Sequence, residues 1–160
     1  LPFLYSPDND AHYRAALEEG FAKRDPALRP REEFEVPVSV PVVPGANFTE
    51  AADRIRPMFA LYIGGMGSKE TNFHKDQVVA LGYGEVADKI QDAYLAGRKE
   101  EAAKMVPDDL IDQVAIVGTP EHMATRLPKW QQSLATTIVL QADARGLQAI
   151  AAGLQPFLNR

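Results

Sequence analysis

The sequence predicts an α/β fold, and three kinds of observation carry the prediction. From Phe34 to Val43 the chain alternates Phe34, Val36, Val38, Val40 and Val42 with Glu35, Pro37, Ser39, Pro41 and Val43. This is the period of two, rich in β-branched residues, that a strand requires. From Thr136 to Gln141 runs a continuous, largely β-branched segment, which suits a strand buried on both faces of a parallel sheet. Around these runs, capping residues and apolar positions three and four apart mark helices. The resulting rhythm is strand, helix, strand, helix.

Taken in order, the apolar tetrad Leu1–Leu4 is expected to be a short strand near 1–4. Ser6, Pro7 and Asp8 offer a helix cap with proline at the first helical position. Ala16, Leu17, Gly20 and Phe21 then form the stripe of a helix that ends at Lys23 and Arg24. Within the strand over 34–43, Pro37 and Pro41 share one parity, so the donors they remove lie on one side only. Thr49 and Glu50 open a helix through Ile55, Phe59 and Tyr62, with a kink expected at Pro57 and a stop at Gly64–Gly65. Further helices are expected over 70–81, closed by Gly82, and over 85–95, with Val86, Ile90, Ala93 and Tyr94 on one face. Arg98 to Met105 reads as a short solvated helix, and Pro107 begins another turn. The stretch from about 49 to 113 is therefore read as helical. A short extended run follows over 114–117, and Thr119, Pro120 and Glu121 then start a helix by cap, ring and dipole. After the strand over 136–141, Leu147, Ile150, Ala151 and Leu154 suggest a closing amphipathic helix.

Composition narrows the function classes. The 160 residues carry a net charge of −5 with basic groups dispersed among acids, so nucleic acid and anionic membrane surfaces are not expected partners. There is no cysteine, which removes disulfides, thiolate metal sites and thiol nucleophiles together. His12, His74 and His122 fall in separate segments without metal-ligand spacing, and no metal site is expected. No apolar run is long enough to span a membrane, and neither a signal peptide nor a cysteine framework appears, which makes the cytoplasm the expected location. The whole chain, 1–160, reads as one unit.

The most informative motif is Tyr62 to Phe73, YIGGMGSKETNF. A phosphate-binding loop needs glycine-rich backbone after a strand and ahead of a helix. Here the glycines follow a helix, no GxGxxG is present, and Lys69 lacks a P-loop context. Two readings remain. One is a helix C-terminus with a left-handed glycine making a tight corner; the other is a ligand lid, with close backbone approach at Gly64, Gly65 and Gly67 and Met66 as an adaptable apolar contact. Asn72 caps the following helix, and Phe73 and His74 open it.

Three segments in order, FALYIGGMGSKETNFHKD, KIQDAYLAGRKEEAAKMVPDDLIDQVAIVGTPEHMATRL and TTIVL, resemble the luciferase-like monooxygenase superfamily, in particular its branch that uses the deazaflavin coenzyme F420. The opening LPFLYSP is similar to the same family. The resemblance implies the C-terminal portion of a (β/α)8 TIM barrel with a helical insertion near its mouth. It implies an oxidoreductase that exchanges hydride between coenzyme F420 and an organic substrate, with an FMN-dependent monooxygenase as the alternative. A complete barrel takes roughly 250 residues, and strands are expected only near 1–4, 34–43 and 136–141. The chain, which opens without methionine, is therefore read as a piece whose N-terminal barrel half supplies the catalytic residues and most of the cofactor site. In this reading Gly64, Gly65, Met66, Gly67, Asn72 and Phe73 are candidates for the substrate or cofactor mouth. The expected partners are a small-molecule substrate, the N-terminal half and further copies of the chain. A second class of reading is a non-catalytic partial barrel that associates through its exposed edges and faces.

Overall fold

The computed structural model describes residues 1–144, 146–148, 150 and 151. Three parallel strands, β1 (Pro37–Pro44), β2 (Ile116–Gly118) and β3 (Thr137–Gln141), form a sheet in the order β2-β1-β3. Helix α1 (Asp10–Ala22) precedes the sheet. Between β1 and β2 lie α2 (Phe48–Gly65), α3 (Phe73–Ala80), α4 (Gly84–Leu95), α5 (Lys99–Lys104) and α6 (Asp108–Val114), and α7 (Pro120–Gln131) joins β2 to β3. The result is an α/β fold with a small parallel sheet. Three strands do not close, and no barrel is formed by the described residues.

The prolines of β1 decide how the sheet is wired. Successive residues of a strand in a parallel sheet direct their backbone groups to opposite neighbours. The Val36 carbonyl accepts from Thr136 N, while the Pro37 carbonyl accepts from the Leu1 amino group and Gly45 N donates to Gly118 O. Even-numbered residues thus serve β3 and odd-numbered ones face the other edge. Pro37 and Pro41 lack N–H groups on that other edge, so pairing with β3 runs unbroken from Pro37–Thr137 to Pro41–Gln141. On the opposite edge β2 pairs only past Pro41, at Val42–Ile116, Val43–Val117 and Pro44–Gly118.

The expected strand at 1–4 is corrected. Tyr5 N bonds back to Pro2 O at 3.2 Å and Leu4 adopts φ +68°, a turn that cannot pair as a strand. The apolar drive of this tetrad is met by burial instead: Leu4 joins the helical core. The third strand is Ile116–Gly118, which the sequence showed only as a short extended run. Helix α3 starts three residues later than expected because Asn72 caps it. Leu154 of the expected closing helix lies outside the described residues.

Two clusters form the interior. Val38, Val40 and Val42, with Ile116, pack on Met123, Leu127 and Trp130 of α7. A larger cluster joins α2 (Ile55, Phe59, Ile63), α4 (Ile90) and α6 (Leu110, Ile111) to Val117 of β2. The core of the insertion is therefore continuous with the C-terminal end of the sheet. The other face is open along β3: Thr137, Val139 and Gln141 are exposed, Val139 to 48%. A run expected to be buried on both faces is covered on one.

The proline parity yields a test. Val38→Pro removes a donor from the β1–β3 ladder and is expected to cost about 3 kcal/mol or more. Pro41→Val, which restores a donor on the far edge, should change stability by less than about 1 kcal/mol. Urea unfolding of both variants checks this, and equal losses would refute the wiring.

Candidate functional site

The corner after α2 is built by contacts at each glycine. A Cβ on Gly64 would sit 2.5 Å from the Tyr94 Cβ, and one on Gly65 would sit 2.4 Å from Tyr94 Cε1. Both glycines let α2 and α4 meet over the tyrosine ring. A Cβ on Gly67 would lie 2.3 Å from the Thr71 carbonyl, so this glycine folds the loop onto itself. The left-handed glycines among the described residues are Gly82, Gly97 and Gly118. The expected left-handed glycine cap at this corner is therefore corrected: α2 ends on Met66 at φ −91°.

Asn72 replaces that cap. Its Nδ2 donates to Tyr62 O at 3.1 Å and Ile63 O at 2.8 Å, while its Oδ1 accepts from His74 N at 3.0 Å and Lys75 N at 3.1 Å. The side chain is 3% exposed, and both donors and both lone pairs of the amide are used. It closes the C-terminus of α2 and the N-terminus of α3 at once. Met66 and Phe73 remain half exposed beside it.

Next to the corner stands an aromatic group. The Tyr62 ring lies 4.3 Å from Phe3 and 4.7 Å from His74, and Phe73 is 5.3 Å from His74 on another side. His74 Nδ1 is buried without a hydrogen-bond partner. Burial holds this imidazole below its ordinary pKa of 6.5, so it is neutral near pH 7, with the proton placed on Nε2 by the lack of an acceptor at Nδ1.

A second cluster occupies the C-terminal tips of β1 and β2, the end where α/β barrels hold their chemistry. Asn47 Oδ1 accepts from Glu50 N and caps α2; Thr119 Oγ1 accepts from His122 N and caps α7. Gly118, at φ +102°, lies where a Cβ would be 3.4 Å from Phe48 Cα. His122 Nε2 is 2.8 Å from Asp112 Oδ1, and its ring stands 5.2 Å from Phe48. Arg126 holds the same aspartate, Nη2 to Asp112 O at 3.0 Å and Nε to Oδ2 at 3.4 Å. The chemistry at this point is a half-buried ion-pair clamp fastening the end of the insertion to α7.

The six residues expected at a ligand mouth thus form one corner, and the tip cluster is separate from it. Along α2 the two are about 25 Å apart, at 1.5 Å per residue from Phe48 to Gly65. Asp112, His122 and Arg126 were not singled out from sequence, where His122 reads as an ordinary helical residue. The available signal was the brevity of Ile116–Gly118, which brings the end of α6 close to the start of α7. Among the described residues no group of three His, Asp or Glu side chains converges on a common point, and no helix is long and apolar enough to cross a membrane.

Comparison with known proteins decides the family. The luciferase-like monooxygenase family profile matches residues 1–137. The chain belongs to the luciferase-like monooxygenase family. It is 41% identical over 144 residues, 90% of its length, to a Mycobacterium tuberculosis (strain ATCC 25618 / H37Rv) protein named "Putative coenzyme F420-dependent oxidoreductase Rv3520c". The chain spans 41% of that relative's length. In fold it is similar to the coenzyme F420 dependent tetrahydromethanopterin reductase of Methanopyrus kandleri, with a TM-score of 0.70 and 18% identity, covering 95% of this chain and 43% of the reductase. For this luciferase-like member, the glycine corner is a helix-packing device, and of the six candidate residues Gly65, Met66, Gly67 and Phe73 are exposed.

Two variants probe the corner. Asn72→Ala strips four hydrogen bonds from a buried position and is expected to cost about 2–4 kcal/mol by chemical denaturation, whereas Asn72→Asp keeps the acceptor half and loses less. For His74, the unfolded chain takes up a proton before the folded one as pH falls below 6.5. Stability is full above that pH and declines toward the lowered folded value. His74→Gln should flatten this decline, and unchanged pH dependence of melting would refute the burial effect.

Proposed function

We propose that this chain is the C-terminal part of a coenzyme F420-dependent oxidoreductase, transferring hydride to or from an organic substrate, with the insertion forming one wall of the substrate site. The observation that carries the reading is the 41% identity, over nearly the whole chain, to the relative named as F420-dependent. The exposed face of Thr137, Val139 and Gln141 supports it from another side. A β-branched strand with one bare face is a surface meant for a covering layer, and an N-terminal barrel half is the layer the family fold implies. Met66 and Phe73, held outward by the Asn72 cap, are the apolar contacts offered to a substrate on the insertion side. A homo-oligomer would give the remaining apolar surface a partner.

The described residues do not by themselves fit the cofactor. Coenzyme F420 bears a phosphate and an acidic tail, which call for open backbone donors or free cations. Gly64 and Gly65 are filled by Tyr94 and Gly67 by Thr71. Near the strand tips Arg54 is engaged by Pro44 O and Asp143, and Arg126 by Asp112. Holding the phosphate and ring is accordingly assigned to the N-terminal half, and no step of the reaction is derived from these residues.

The test is a fluorescence titration with oxidised coenzyme F420, on this chain alone and on the longest polypeptide its gene encodes, with FMN in parallel. Saturable quenching by the long polypeptide alone is expected. Preference for FMN would favour the monooxygenase alternative, and binding of neither would leave the partial-barrel association reading.

A further inference from the structure

The insertion carries a groove that the reading above does not use. It opens between α2, α4 and α5, has a volume of about 490 Å³, and is floored by Pro57, Leu61, Tyr94 and Ala103. That volume falls within the range of roughly 300–1,000 Å³ typical of small-molecule sites, which favour clefts between helices. Tyr94 is fixed there by Gly64 and Gly65, whose missing side chains leave room for its ring. The glycine pair therefore shapes a groove wall as well as a helix contact.

The rim is charged, and its charges are not equivalent. Asp53 and Arg56 neutralise each other at 2.7 Å, and Arg56 is further held by Val106 O and Asp108. Lys99 Nζ lies 5.4 Å from the centroid of the Tyr94 ring, and Lys104 borders the same groove with Glu100 as the remaining acid. On a chain of net charge −5, the accessible rim is positive over an apolar floor. A neutral or cationic ligand would leave these lysines unused, whereas an anion with an apolar body uses both features.

We propose that this groove binds an apolar carboxylate, a ring or short alkyl chain lying on Tyr94 and Leu61 with its acid group between Lys99 and Lys104. The site shares no residue with the strand tips and goes beyond the oxidoreductase reading, which can fail or hold independently. The test is an amide chemical-shift titration of the full 160-residue chain with octanoate, repeated with octanol. Octanoate is expected to shift the Leu61, Lys99 and Ala103 amides saturably, and Lys99→Glu combined with Lys104→Glu should weaken binding about tenfold or more. Lys89→Glu, a lysine outside the groove, should leave binding unchanged, and melting curves establish that each variant is folded. The proposal is overturned if shifts appear only around Val139 on the open sheet face, if octanol saturates at the same concentration, or if the double charge reversal has no effect.

Discussion

One buried amide organises the insertion. Helix α2 must end where α4 crosses it, because Tyr94 fills the space at Gly64 and Gly65, and the carbonyls left at that end need donors away from water. Asn72 supplies two of them and spends its oxygen on the first N–H groups of α3. The loop from Met66 to Thr71 is thereby tied at both ends, and the outward positions of Met66 and Phe73 follow from that geometry. Removing the amide would leave donors and acceptors of two helices unpaired in the same small volume, a penalty that an apolar side chain cannot offset.

The parts of the fold that were legible in the sequence are those set by local chemistry. Alternation along 34–43 marked β1, the run over 136–141 marked β3, and Thr119 with Pro120 marked the start of α7. The missed parts were decided at long range. Leu1–Leu4 looks extended, yet a left-handed Leu4 turns the chain into the helical core. Ile116–Gly118 is too short to announce itself, and it becomes a strand by pairing with β1 past Pro41, from Val42 to Pro44. At the candidate site, the capping role of Asn72 was readable from its place before a helix. The reason for Gly64 and Gly65 was not, since it lies in a ring thirty residues away.

The two hydrophobic clusters meet at the sheet. Phe59, Ile63, Ile90 and Leu110 pack the insertion together with Val117 of β2, while Val38, Val40 and Val42 hold the sheet to α7. At the strand tips Asp112 adds a polar link, gripping both His122 and Arg126. A roof seated on the strand ends in this way moves with them, because packed interiors transmit displacement and resist deformation. Outward side chains of the insertion such as Met66 and Phe73 can be exchanged without repacking the strands beneath.

The prolines of β1 have a consequence for assembly. Over Pro37–Pro41 the strand edge away from β3 offers carbonyls but lacks the N–H groups of both prolines. An extended segment from another molecule, seeking alternating donors and acceptors, finds a poor template there. The exposed face of β3, where Val139 stands between Thr137 and Gln141, carries no such obstacle. Strand-to-strand growth, the route toward fibrils, is thus discouraged along that stretch of β1, whereas the outer edge of β3 carries no proline and is left to be covered in another way.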